Sequence, residues 1–370
     1  MDYKSQFYLP DGSYLLNHSV GRPIKVAREG FERDFWQPWC ASGREPWGDW
    51  LGGIDRFRSA LASLFDGHKD DFCPQTNLSS ALTKLLMSHP RLGRSGARVL
   101  MCEEDFPSMG FALQKALPEA KLSFIPQGAD ITDANVWQQH INAGLDLVFI
   151  SHAFSNLGAL APVTELVPYC RELGVMTLVD VAQSAGVVPL SLATLCPDFM
   201  IGSSVKWLCG GPGAAYLWVN PKRISECEPV DVGWFSHENP FEFDIHHFKS
   251  HPTALKFWGG TPSVAPFVLA SHSIDWFAAL GSEQVRAHNQ ALVSRLYDGL
   301  HQYGANDFAT ECRSGTAILD FGDKNDVVMA GLAEASISVD KRRYGLRVSP
   351  HLYNDAGDIG RFIECVRACL

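Results

Sequence analysis

The sequence predicts an α/β fold: a large domain around a mostly parallel sheet, followed by a smaller α+β C-terminal domain. Three observations carry this expectation. From about residue 96, short apolar runs alternate with stretches of helical spacing, as βαβ units require. After about residue 262 the texture changes to long helices and short strand-like pieces. A chain of 370 residues also exceeds the size at which one core keeps growing. The division reads as an N-terminal segment, 1–30, packing on the small domain; a large domain, 31–262; and a small domain, 263–370.

Taken in order, 98–102 (RVLMC) is a strand and 106–117 a helix, followed by a strand at 122–125. A helix over 130–143 opens on Asp and Thr caps. Strand 145–151 precedes a helix over 163–173 that Gly174 ends. Strands follow at 175–180 and 198–202. Helices are expected over 263–280 and 282–303, strands at 316–321, 336–339 and 346–349, and a last helix over 355–369. Eight aromatics from Phe31 to Phe65 read as wrapping onto the small domain or a partner subunit.

Composition narrows the function classes. A hydrophobic content of 46% with 19% charged residues describes a compact globular chain. A net charge of −10 argues against binding nucleic-acid phosphates, which needs clustered Lys and Arg. The cysteines are scattered, with no two-residue gap for a shared zinc ion, and read as buried small hydrophobes. His246, His247 and His251 lack a metal-ligand pattern, so no metal is expected. No secretory leader begins the chain and no run approaches ~18 apolar residues, so a cytoplasmic protein without membrane association is expected.

The informative stretch runs from Val179 to Gly213. Asp180 ends an apolar strand, where a carboxylate is costly unless it meets a positive partner. Lys206 follows another strand and precedes the turn Gly210-Gly211-Pro212-Gly213. A Lys in a dry pocket has a depressed pKa and attacks carbonyls. Taken singly, Asp180 could cap a helix and Lys206 could be a solvated loop residue. The apolar strand before each and the glycine turn after Lys206 favour a site. The glycine cluster lacks the strand–GxGxxG–helix context of a dinucleotide site, and a phosphate loop for nucleotides is missing.

The DxAQxxG stretch at 180–186, the SSxK at 203–206 and the GGPG at 210–213 resemble class V aminotransferases, a family of fold-type I enzymes that use pyridoxal 5'-phosphate (PLP). The spacing from Asp180 to Lys206 is similar to that of kynureninases. The resemblance implies the aspartate-aminotransferase-like fold, with residues 31–262 as the PLP-binding domain. It also implies a Schiff base on Lys206 and Asp180 on the pyridine nitrogen as the catalytic pair. Phe106 would stack on the ring, Ser151 would lie beneath it, and Gln183 would hydrogen-bond the ring hydroxyl oxygen. Ser203 joins the cofactor set, and Thr76 and Asn77 match the phosphate turn, where a helix N-terminus favours an anion. Trp234 and Thr261 match phosphate contacts, which in these families often come from the second subunit; the resemblance implies a homodimer with its active site at the interface and leaves open which subunit supplies the two residues. Arg347 matches the arginine that clamps a substrate α-carboxylate, and His18 and Ser19 match a substrate-side segment.

The implied substrate is a small amino acid, and the implied reaction is that of a class V aminotransferase-type transferase. A kynureninase-like or C–S lyase reaction is the alternative, as is a non-catalytic regulatory or binding protein on the PLP fold. Cysteine desulfurases need a nucleophilic Cys near the carboxylate clamp. Residues 336–347 contain none, leaving Cys312 as the nearest candidate, at the start of an expected strand. Val205 and Gly260-Thr261 depart from kynureninases beside the Lys and at the substrate's ring.

Overall fold

The computed structural model describes residues 3–41, 43–303 and 308–370. After a short N-terminal strand, β1 (Ser13–Tyr14), come the strands of a seven-stranded sheet: β2 (Phe72–Gln75), β3 (Arg98–Cys102), β4 (Lys121–Ile125), β5 (Leu147–Ser151), β6 (Met176–Asp180), β7 (Phe199–Ser203) and β8 (Ala215–Val219). Their spatial order is β2-β8-β7-β6-β5-β3-β4. β3 to β7 are parallel, whereas β8 runs antiparallel to β7 and β2 antiparallel to β8.

The five parallel strands are those expected from sequence, and β2 and β8 are additions. Pro74 argues against a strand because it cannot donate to a ladder, but β2 is the sheet edge, where one side needs no partner. β8 (AYLWV) is buried throughout and so shows no alternation.

Both faces of the sheet are covered, and alternate residues serve opposite cores. Leu100, Val148 and Ile150 point into one core; Val99, Leu147 and Phe149 point into the other. Helix Leu78–Leu86 closes the second face with Ala81, Leu82 and Leu85. Helices Trp47–Phe65 and Ala265–Leu280 pack together on the first face, burying Ile54, Phe57 and Leu61 against Phe267, Val268 and Ile274. Each such side chain contributes about 1.5–3 kcal/mol on leaving water.

Two local details differ from expectation or explain it. The helix expected over 130–143 is only Ala134–His140. Asp130 spends its carboxylate on the Thr132 N–H and hydroxyl, and Asp133 is the cap, accepting from the Asn135 N–H. Helix Val163–Glu172 stops because Gly174 turns left-handed (φ +68°) and the Val175 N–H reaches back to the Cys170 carbonyl.

The C-terminal part builds its own sheet from β9 (Ala317–Leu319), β11 (Asp340–Arg342) and β12 (Gly345–Val348), in the order β11-β12-β9. The short β10 (Ile337–Ser338) pairs in parallel with β1. Helices Ser282–Leu300, Asn325–Glu334 and Ala356–Cys369 enclose a third core around Leu15, Leu296, Leu319, Leu346 and Phe362. The Ser13 hydroxyl also donates to Asp358 at 2.7 Å, fixing the N-terminal segment on this unit. Within the chain the aromatic stretch packs on itself, on helix Ala265–Leu280 and on the 234–235 segment: Phe35 stacks on Trp50, Phe57 meets Phe267, and Trp47 meets Trp234 and Phe235. Among the described residues no helix is long and apolar enough to cross a membrane.

Candidate active site

Ser151 and Asp180 are register partners at the carboxyl ends of β5 and β6, and Ser203 ends the neighbouring β7. Open parallel sheets leave their ligand crevices at this edge. Beyond Ser203 the chain loops over the strand ends. Ser204 closes that loop, its N–H and hydroxyl both donating to the Ala214 carbonyl at 3.0 and 2.9 Å, while the Gly210 N–H donates to the Ser204 carbonyl. Gly21 presses on the other side. Its N–H donates to the Val205 carbonyl at 2.8 Å, and a Cβ there would lie 2.0 Å from the Lys206 carbonyl oxygen. Lys206 is therefore held between two segments distant in sequence.

A cavity of about 220 Å³ opens at this edge, with Phe106, Ser151, Asp180, Gln183, Ser203 and Lys206 on its walls. All six were singled out from sequence, and they come from four segments of the chain. Phe106, just before helix Pro107–Ala116, remains 56% exposed and so presents a ring face for something to cover.

Burial dominates the electrostatics. It raises the Asp180 carboxyl to about 6, against the Ala182 N–H donated to Oδ1 at 2.8 Å and the charge of Lys206. It lowers the Lys206 amine to about 8, opposed by Asp180 and assisted by the charge of Arg347. Their mutual attraction is thus weaker than the cost of taking both charges out of water. Asp105 is a third buried carboxyl, raised to about 7 by burial although it accepts from the Cys102 N–H and the Ser151 hydroxyl. Sequence reasoning passed over Asp105; its one signal was its place directly before Phe106.

Gln183 donates its amide to the His18 carbonyl at 3.1 Å, and its Oε1 is buried without a partner among the described residues. Asn77 caps helix Leu78–Leu86 by accepting from the Ser80 N–H and the Ser79 hydroxyl, each at 2.8 Å, and Thr76 precedes it in the exposed turn. Leu78 and Ser79, rather than Thr76 and Asn77, reach the cavity wall.

The remaining expected residues lie outside the cavity wall. Trp234 donates to Thr261 at 3.3 Å on a separate surface groove. His18 is buried, with Nδ1 2.5 Å from the Ser349 hydroxyl and Nε2 3.0 Å from Asp340, whereas Ser19 is exposed. Arg347 is not open-handed. Asp340, its register partner across β11 and β12, accepts from its Nε at 2.8 Å and its Nη2 at 2.5 Å, and Nη1 lies 3.4 Å from the Ser155 carbonyl. The pairing of Asp340 with Arg347 is a product of the hairpin register between β11 and β12. Cys312 sits in a 3₁₀ turn, Thr310–Cys312, instead of starting a strand, and is absent from the cavity wall.

A family profile described as "Aminotransferase class-V" matches residues 86–362. Among curated proteins, a kynureninase of Deinococcus radiodurans is 27% identical over 99% of this chain and 92% of its own length. An isopenicillin N epimerase of Streptomyces clavuligerus is 29% identical over 64% of this chain and 61% of its own. Among solved structures, a cysteine desulfurase of Thermococcus onnurineus superimposes with a TM-score of 0.86 at 20% identity, over 97% of this chain and 95% of its own. The cystine C–S lyase C-DES superimposes with a TM-score of 0.85 at 21% identity, over 97% and 98%. These two likenesses establish the fold, and the profile match over most of the length establishes the kinship: the chain belongs to the class-V aminotransferase family of PLP-dependent enzymes.

Proposed function

We propose that this chain holds PLP on Lys206 and acts at the α-carbon of a small amino acid, as a transferase of the class-V kind. The observation that carries the reading is the convergence of Lys206, Asp180 and Phe106 on one cavity from three segments. The unmet groups suit a flat pyridine ring. Asp180 has one carboxylate oxygen engaged by Ala182, Gln183 has an orphaned Oε1, and Phe106 has an uncovered face. Bound there, PLP supplies the electron sink that lets an α-carbon lose a bond.

The chain's own residues then have distinct tasks. With PLP bound, the Asp180 carboxylate would hold the ring nitrogen and favour its protonated form. Lys206, whose amine burial lowers to about 8, lies on the cavity wall where its Nζ would accept the α-proton and return it. Phe106 restrains the tilt of the ring. The amino end of helix Leu78–Leu86, where Leu78 and Ser79 reach the cavity wall, would hold the phosphate at the positive end of the helix dipole. Arg347 takes the substrate α-carboxylate, with His18 behind it.

The finer reading is a homodimer whose active site lies at the interface, with Trp234 and Thr261 reaching the neighbouring subunit's phosphate. Support comes from the apolar surface around them: Phe241, Phe243, Ile245 and Phe248 are exposed beside Trp234. Co-expression of a Lys206→Ala chain with a Trp234→Ala chain tests this. Mixed dimers regain activity if the residues act across the interface, and stay inactive if they act within one chain.

A second reading is a lyase of kynureninase or C–S lyase type without a catalytic Cys, supported by the kynureninase relative aligned over 99% of the chain. An amino-acid panel decides among the possibilities. Amino transfer to an added 2-oxo acid supports the transferase, and ammonia or a cleaved side chain supports the lyase. No spectral change with any amino acid would indicate the non-catalytic alternative.

A further inference from the structure

Arg347 has five N–H donors in a rigid fork. Asp340 occupies its Nε and Nη2 side, and one Nη1 hydrogen leans toward the Ser155 carbonyl, a cavity-wall group. What is left is the end-on edge, one hydrogen on Nη1 and one on Nη2, which matches a single carboxylate.

Asp340 is fixed from behind. His18 Nε2 lies 3.0 Å from its Oδ1, His18 Nδ1 is anchored on the Ser349 hydroxyl, and that hydroxyl is 2.8 Å from the hydroxyl of Thr316. His18, Ser349 and Thr316 are all buried. The resulting chain of hydrogen bonds crosses from the N-terminal segment to the C-terminal sheet and holds one carboxylate against the clamp. Arginine and aspartate together are neutral, so a substrate carboxylate arriving at the free edge meets a cation that is already half compensated.

The surrounding charges point the same way. The described cavity wall carries the cation Lys206 and the two carboxyls Glu104 and Asp180. Once Lys206 has engaged the cofactor, a second carboxylate on the substrate would meet acidic neighbours and no further wall cation among the described residues.

We propose that Asp340 is a specificity-determining residue: by taking one side of the Arg347 fork it restricts the site to amino acids with a single carboxylate and rejects dicarboxylic ones. This rests on the reading of Arg347 as the α-carboxylate clamp. The α-carboxylate meets this charge in every substrate, so the discrimination concerns a second carboxylate, which finds the Asp340 side of the fork taken and a like charge there, partly screened by solvent because Asp340 is part-exposed; that corresponds to roughly tenfold in affinity.

The test is titration of the PLP-loaded protein with L-alanine, L-serine and L-aspartate. It is followed by the visible spectrum of the bound cofactor and, independently, by the shift in thermal unfolding temperature. The wild type should bind the better neutral probe about tenfold more tightly than L-aspartate, and Asp340→Asn should shrink that ratio about fivefold or more. Reading a ratio removes any general weakening caused by a looser Arg347. If Asp340→Asn does not fold, Asp340→Ser serves for the same ratio. Equal binding of L-aspartate by the wild type, an unchanged ratio in the variant, or no binding of either neutral probe overturns the proposal. Arg347→Gln separates the two claims. If it leaves L-alanine binding intact, the clamp reading itself fails; if it abolishes that binding while the Asp340→Asn ratio stays put, only the role of Asp340 fails.

Discussion

The Tyr344 hydroxyl donates to Glu104 at 2.5 Å, tying the β11–β12 turn to the loop that carries Phe106. Gln127 donates to the same hydroxyl at 2.6 Å, so the contact is held from two sides. Glu104 lies on the cavity wall and Arg347 lies on β12, which makes this bond a tether between the cofactor side and the substrate side of the site. Tyr344→Phe removes the donor and should raise KM for the amino acid about three- to tenfold with little change in kcat, a loss of roughly 1 kcal/mol for a partly exposed bond to a charged group. Steady-state kinetics check it; a fall in kcat with KM unchanged would remove the tether from substrate binding.

Asp105 should make the cofactor-free protein pH-sensitive. Its folded carboxyl is raised to about 7 from 3.8, so the folded state binds the extra proton across that window. Stability contributed by protonated Asp105 is present at low pH and declines as pH rises from about 4 through 7. Asp105→Asn mimics the neutral carboxyl and should flatten that decline, gaining about 2–4 kcal/mol relative to wild type between pH 5 and pH 8. Urea unfolding at the two pH values measures the difference, and parallel pH profiles for the two proteins would contradict it.

Gly21 should tolerate no side chain. A Cβ would sit 2.0 Å from the Lys206 carbonyl oxygen and 2.7 Å from Cys209 Sγ, and the first of these is backbone that cannot swing away. Gly21→Ala should therefore cost about 1–3 kcal/mol and displace the Lys206 loop. Thermal unfolding together with the rate of cofactor loss on dialysis tests both halves.

Asp180→Asn should retain cofactor while losing turnover, because an amide cannot hold the ring nitrogen in its charged form. The expected fall in kcat is about 10²–10³-fold, the scale of removing one preorganised electrostatic partner. Activity within a few-fold of wild type would move the role of the ring-nitrogen partner elsewhere.

Much of this arrangement was legible in the sequence, for physical reasons that differ from one residue to another. Asp180 and Ser151 stood out because parallel strands advertise their carboxyl ends by short apolar runs that stop at a polar residue, and Lys206 because it lies between such a strand and a glycine turn. β2 was hidden because Pro74 argues against a strand unless its place at the sheet edge is known. The pairing of Asp340 with Arg347 was hidden because only the register of β11 and β12 brings the two opposite each other. Trp234 and Thr261 were legible as a pair, and they do meet, but the structure of one chain leaves them away from the cavity. Gly21 and Asp105 act through close approach and burial, and neither property leaves a periodic trace in sequence.

The central claim is that Lys206 carries the cofactor. Borohydride reduction of the PLP-loaded protein, followed by proteolysis and mass mapping, tests it most directly. A pyridoxyl-phosphate adduct is expected on the peptide containing Lys206, with no such adduct or visible cofactor absorption in Lys206→Ala. An adduct at a different lysine, or an unmodified Lys206 in protein that retains its cofactor absorption, would contradict it.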